Sequence, residues 1–194
     1  MSALLVCENL ACIRGGRLLF EGLGFALAPG EALWLRGPNG IGKSSLLRLI
    51  AGLLRPEAGA VTRPSLVALA DERTALDPEL PLARALAFWG PIDGADPATV
   101  SAAMAAMALT QLGDVPVAML STGQRKRAVL ARTIASGAQL WLLDEPGNGL
   151  DAPSLDLLRA AIAQHRANGG AIVFASHFDL GLPDQRELGL GVHP

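Results

Sequence analysis

No stretch of this sequence is apolar for the roughly 18 to 20 residues that a membrane-spanning helix needs. The richest run, SLLRLIAGLL at 45–54, is short and carries Arg48. The N-terminal MSALLVCENL has no basic start, and Glu8 breaks its apolar run, which argues against a secretory signal. Positive charge is not in excess: 16 Lys and Arg stand against 18 Asp and Glu, for a net charge of −2. That balance excludes a nucleic-acid binder relying on bulk positive charge, and leaves room for a local anion site. Cysteine is limited to Cys7 and Cys12, which form neither a C-x-x-C pair nor a C-x-x-C-H run, so buried reduced thiols are expected. With three histidines, His165, His177 and His193, a His/Cys metal cage is not expected either. These absences describe a soluble cytoplasmic chain, one able to sit against a membrane partner.

What is present suffices for one domain with a real core: 194 residues, 51% of them hydrophobic. Strand-like stretches come first, in ALLVCENL, LGFALA and EALWLRG (31–37). The last runs into GPNGIGKSS and then into LLRLIAGLL, which has helical spacing. After RPEAG a turn and a short strand, SLVALAD, are expected. Residues 82–112 read as helical, with Met104 and Met107 as core packing. A helix from about Gln124 leads into QLWLLDEP, a continuous apolar run typical of a buried parallel strand. A helix over about 153–168, a Gly-Gly turn and a second buried strand, AIVFASH, follow. Strands alternating with helices, interrupted by a helical stretch, define an α/β domain with a small helical subdomain.

The chemistry begins at Gly37-Pro38-Asn39-Gly40-Ile41-Gly42-Lys43-Ser44, which fits G-x-x-x-x-G-K-[ST] without a mismatch. Glycines let backbone amides curl around phosphate oxygens, and the following helix adds its positive end. Lys43 is expected to reach the β- and γ-phosphates, with Ser45 beside them, and the Ser44 hydroxyl to sit on Mg²⁺. About a hundred residues on, LWLLDEP puts Asp144 and Glu145 at a strand end. Asp144 suits the magnesium shell, and Glu145 could orient or deprotonate an attacking water. His177 ends another apolar strand, and parallel strands finish on one shared ligand-binding edge, which makes it a candidate γ-phosphate contact.

One helix start has no evident partner. In MLSTGQRKR, Ser121, Thr122 and Gly123 offer a capping hydroxyl and open amides. Arg125, Lys126 and Arg127 crowd a first turn whose dipole disfavours cations, and are expected to be solvated or to face a partner.

In this order, GPNGIGKS, LSTGQ, LLDEP, GLD and SH resemble the ATP-binding subunits of ABC transporters over nearly the whole chain. The resemblance implies a mostly parallel core sheet, an N-terminal antiparallel β part and a helical subdomain. It divides the chain into a core of about 1–70 and 138–194 and a subdomain of about 71–137 that carries the signature. It also implies a head-to-tail dimer, in which Ser121, Gly123 and Gln124 of one copy close over ATP held by the other, and Asp151 communicates between the two sites. CIRGGRLLFEGLGFALAPGEALWLRGPNGIGKSSLLRLIAGLLRPEAG, ARALAFWG and HRANGGAIVFASHFDLGLP look like the ATP-binding subunits of bacterial cytochrome c maturation. That narrower resemblance implies an ATPase at the cytoplasmic face of the inner membrane, working with integral-membrane permease subunits in haem handling. It also implies that hydrolysis drives release of a haem-loaded chaperone. An exporter subunit for another cargo and a soluble ATPase of the same fold are the alternatives.

Three departures from the family pattern stand out. ALADERTALDPEL lacks the loop Gln that the family offers to Mg²⁺ and water, and Asp71 or Glu72 falls where it belongs. Its place is taken either by a solvated acidic turn or by a metal-shell substitute. The aromatic that stacks on adenine is missing, and Arg14 stands near its place. Thr122 replaces a signature glycine. Of the tryptophans, Trp34 and Trp141 are expected in core strands, and Trp89 in packing or at a partner contact.

Overall fold

The computed structural model describes residues 3–71 and 75–191. Its centre is a five-stranded parallel sheet in the order β5-β6-β7-β3-β8. The strands are β3 (Ala32–Arg36), β5 (Val67–Ala70), β6 (Leu140–Asp144), β7 (Ala171–Ala175) and β8 (Arg186–Gly189). A second, antiparallel sheet, ordered β2-β1-β4, is made of β1 (Leu5–Arg14), β2 (Arg17–Leu27) and β4 (Ala58–Thr62).

Period-two alternation explains the layering. In β6, Leu140 and Leu142 enter the core formed with α1 (Lys43–Ile50), β1 and β2, while Trp141 and Leu143 enter the core on the other face. That second core is covered by α5 (Thr122–Ala135), α6 (Ala152–Ala167) and the helices α2 (Leu82–Ala87) and α4 (Pro97–Ala106). A short α3 (Gly90–Asp93) joins α2 to α4. Every residue of β6 and β7 is buried, which is why both strands read as unbroken apolar runs.

Local chemistry sets the helix starts. Asp151 caps α6 by accepting the Ser154 N–H at 3.0 Å, with Pro153 in the first turn. Asp96 caps α4 in the same way through Thr99, at 2.7 Å. Ser121 and Gln124 form a reciprocal capping box on α5. The helix therefore begins at Thr122, slightly before the start near Gln124 that the sequence suggests.

Two strands escape the sequence pattern. β4 is the mostly exposed AGAVT, stabilised by antiparallel pairing with β1 rather than by its own apolarity. β8, in the C-terminal ELGLG region, is a mostly exposed edge strand paired with β3. Both cysteines are buried, and burial pushes the Cys7 thiol up to about 12. Trp34 and Trp141 are core residues as expected, Trp34 stacked on Phe174 and Trp141 on the His165 ring with centroids 3.9 Å apart. Trp89 is half-buried, with Nε1 donating to Ala75 O and the Arg132 guanidinium over its ring, while adjacent Phe88 is exposed.

Candidate nucleotide site

The site lies at the C-terminal edge of the parallel sheet, where β3, β6 and β7 all finish. β3 ends at Arg36 and runs into the glycine loop, and α1 begins at Lys43 with Gly42 as its N-cap. Only glycine suits two of these positions. Gly37 has φ +145°, and a Cβ there would meet Leu190 O at 2.7 Å. Gly42 has φ +118°, and a Cβ there would press on Leu19 and Phe20 at 3.2–3.3 Å.

The resulting cavity, of about 590 Å³, is lined on one side by Asn39, Gly40, Gly42, Lys43, Ser44 and Ser45. Its other wall is Asp144, Glu145, Asn148 and His177, with Leu19 and Arg48 at the margins. Lys43 is buried, and its Nζ donates to the carbonyls of Gly37 (2.7 Å) and Pro38 (3.3 Å). Ile41 does not line the cavity; its side chain is buried in the core.

Opposite the glycine loop, Asp144 is buried at the end of β6, and Glu145 follows at φ +49°. Glu145 is held on both sides, its N–H donating to Ala175 O (2.9 Å) and its carbonyl accepting from Asn148 N (3.2 Å). Its carboxylate grips His177 twice: Oε2 accepts the backbone N–H, and Oε1 lies 3.3 Å from Nε2. A carboxylate beside the glycine loop, held against an imidazole, is an arrangement suited to activating a water for attack on a phosphoryl group. Ser44 and Asp144 share the cavity, and hydroxyl plus carboxylate, completed by phosphate oxygens, is the all-oxygen set that Mg²⁺ takes.

The signature residues lie outside this cavity. Ser121 Oγ accepts the Gln124 N–H at 3.2 Å, and Gln124 Oε1 accepts the Ser121 N–H at 2.8 Å. Gly123 packs so closely on the loop before α6 that an added Cβ would lie 3.3 Å from Gly149 O. Asp151 is exposed, and the hydrogen bonds from Ser154 hold its carboxyl below the ordinary range.

All three cations are half-buried in the single chain, and two of them reach backbone carbonyls of that chain. Arg127 donates to Met107 O (2.8 Å) and Ala108 O (3.1 Å), the electronegative end of α4, which offsets its cost at the start of α5. Lys126 reaches Asp144 O at 3.5 Å. Arg125 lines a second cavity, beside Thr122 and Asp71.

Asp71 follows β5 and pairs with Arg48 at 3.3 Å rather than lining the nucleotide cavity; Glu72 lies outside the described residues. Arg14 is an exposed hairpin residue that does not line the cavity. The hairpin contributes Leu19 instead. Cys12 pairs with Phe20 and Ile13 with Leu18, so Leu19 is the extra residue of a β-bulge. Sequence reasoning missed Leu19, Arg48 and Asn148. Arg48 is one helical turn beyond Ser44 and was legible by that spacing, whereas the bulge that aims Leu19 leaves no signal.

Sheet order, glycine loop and carboxylate edge together define a P-loop ATPase of the ABC type. The ABC transporter family model matches residues 20–148. The chain is 62% identical over 192 residues to the cytochrome c biogenesis ATP-binding export protein CcmA of Sphingopyxis alaskensis, covering 99% of each chain. It is 53% identical to the same-named protein of Zymomonas mobilis, over 97% of this chain and 85% of that one. Among solved structures, the ATP-binding subunit of an ABC transporter superposes with a TM-score of 0.83 at 24% identity, over 90% of this chain and 80% of that one, a likeness of fold. The chain belongs to the ABC transporter ATP-binding family and, within it, to the cytochrome c biogenesis ATP-binding export proteins.

Proposed function

We infer that this chain hydrolyses ATP as the nucleotide-binding subunit of a membrane complex of cytochrome c maturation. In this reading hydrolysis serves haem handling and the release of a haem-loaded chaperone. The observation that carries it is one cavity joining the glycine loop to the Glu145–His177 pair, in a chain so close over its length to named cytochrome c biogenesis subunits.

Backbone amides from Gly37 to Ser45 and the Lys43 ammonium bind the phosphates. Ser44 and Asp144 would hold Mg²⁺, which would supply positive charge against the triphosphate. Glu145 orients the attacking water and takes its proton, and His177 contacts the γ-phosphate.

Ser121, Gly123 and Gln124 complete the site of a second copy, with the start of α5 as the cationic pole facing its triphosphate. Asp151, at the head of α6, sits where the two copies communicate. In this scheme residues of about 1–70 and 138–194 form the core, and about 71–137 the helical subdomain that carries the signature. The complex sits at the cytoplasmic face of the inner membrane. Among the described residues no helix is long and apolar enough to cross a membrane, and integral-membrane permease subunits supply the span.

Deleting the gene and assaying covalent haem in c-type cytochromes tests the assignment. Loss of mature cytochromes, restored by the wild-type chain and not by a Lys43→Ala chain, is expected. Normal maturation in the deletion strain would reject the pathway and redirect the search to another cargo.

A further inference from the structure

We propose that Lys126 is a positioning residue for Glu145, setting the orientation of the Asp144–Glu145 peptide from the first turn of α5. The inference rests on the reading above, in which Glu145 acts on the attacking water. Glu145 occupies left-handed backbone space at φ +49°, a conformation that crowds any residue bearing a Cβ and persists only where its surroundings enforce it. The peptide leading into it is held from both faces. Its N–H donates to Ala175 O at 2.9 Å, and its carbonyl, that of Asp144, accepts from Lys126 Nζ at 3.5 Å.

The first hold comes from the end of β7, the strand that leads to His177, and the second from the helix that begins with the signature. If the ammonium is removed, one face of that peptide loses its anchor. The carboxylate can then turn away from His177 and from the cavity. A second contact makes the same link: Gly123, on the first turn of α5, sits against Gly149 O in the turn that follows Glu145. The signature helix therefore acts on the catalytic carboxylate of its own chain, in addition to facing the nucleotide of a second copy.

Steady-state ATP hydrolysis by the chain assembled with its membrane subunits tests the proposal. Lys126→Met keeps the aliphatic stem and is expected to lower kcat about tenfold, with the KM for ATP within about twofold. Its thermal midpoint should stay within about 2 °C of wild type. Lys126→Arg should recover most of kcat, because it restores a cationic donor. Adding Lys126→Met to Glu145→Gln should cost nothing further, since both act through one carboxylate. Unchanged kcat in Lys126→Met, while Glu145→Gln abolishes turnover, would overturn the proposal and leave the catalytic reading intact. Parallel changes in kcat, KM and thermal midpoint would overturn it in favour of a structural role. Full turnover in Glu145→Gln would instead remove the reading on which it rests.

Discussion

The Glu145 carboxylate binds His177 at two points, the backbone N–H and the ring Nε2, each at 3.3 Å. The parallel register Asp144↔Ala175 makes this possible by bringing the residues just past the two strand ends to one place. Slipping either strand by one residue would send alternate side chains to the wrong face and separate the pair.

Replacing Glu145 with Gln keeps the side-chain shape and removes the carboxylate proposed as the base. Turnover should fall by on the order of 10²–10⁴, with ATP still bound. Single-turnover hydrolysis together with nucleotide binding by fluorescence separates the two effects, and equal turnover in both proteins would exclude Glu145 as the base.

Gly37→Ala should damage the fold of the loop rather than its charge. The new Cβ would lie 2.7 Å from the backbone oxygen of Leu190, at a φ that L residues avoid. A loss of about 1–3 kcal/mol is expected, read as a lower urea midpoint, together with weakened ATP binding. A midpoint equal to wild type would show that the loop can relax around the methyl group.

The Asp71–Arg48 pair bears on the missing loop glutamine. With its carboxylate on Arg48 rather than in the nucleotide cavity, Asp71 is not placed as a metal ligand. Asp71→Asn should leave the Mg²⁺ concentration for half-maximal hydrolysis within about twofold, against the roughly 10–100-fold shift that losing a metal-shell partner brings. A shift of that larger size would put Asp71 back in the metal shell.

His165 gives the fold a pH dependence. Burial holds its imidazole below the ordinary histidine value, while hydrogen bonding to Ala171 and Gln139 pulls the other way. The unfolded chain therefore takes up the proton first. Stability from this group is complete above about pH 6.5 and declines as the pH falls below it. Denaturant midpoints between pH 7.5 and 5 should drop more steeply in wild type than in His165→Phe, and identical slopes would contradict the assignment.

The central βα unit was legible because glycine, lysine and serine at fixed spacing leave little freedom once a strand precedes them and a helix follows. LWLLDEP and AIVFASH were legible because strands buried on both faces carry no polar alternation. β4 and β8 were not, since exposed, Gly- and Arg-containing strands owe their form to partners distant in sequence. The contacts of Lys126 and Arg127 within the chain were not legible either, because their acceptors, the carbonyls of Asp144, Met107 and Ala108, are backbone atoms that no side-chain pattern announces.

The placement of β3 has a consequence for biosynthesis. The strand that leads into the glycine loop has both flanking partners, β7 and β8, among the last 24 residues of the sequence, 171–194, and Gly37 is packed against Leu190. On the ribosome, β3 and its loop emerge early with both edges unpaired, exposed to wrong pairings until the C-terminal strands arrive. The binding loop is thus translated long before the strands that flank it, so a nascent chain stalled before 171 should not retain nucleotide.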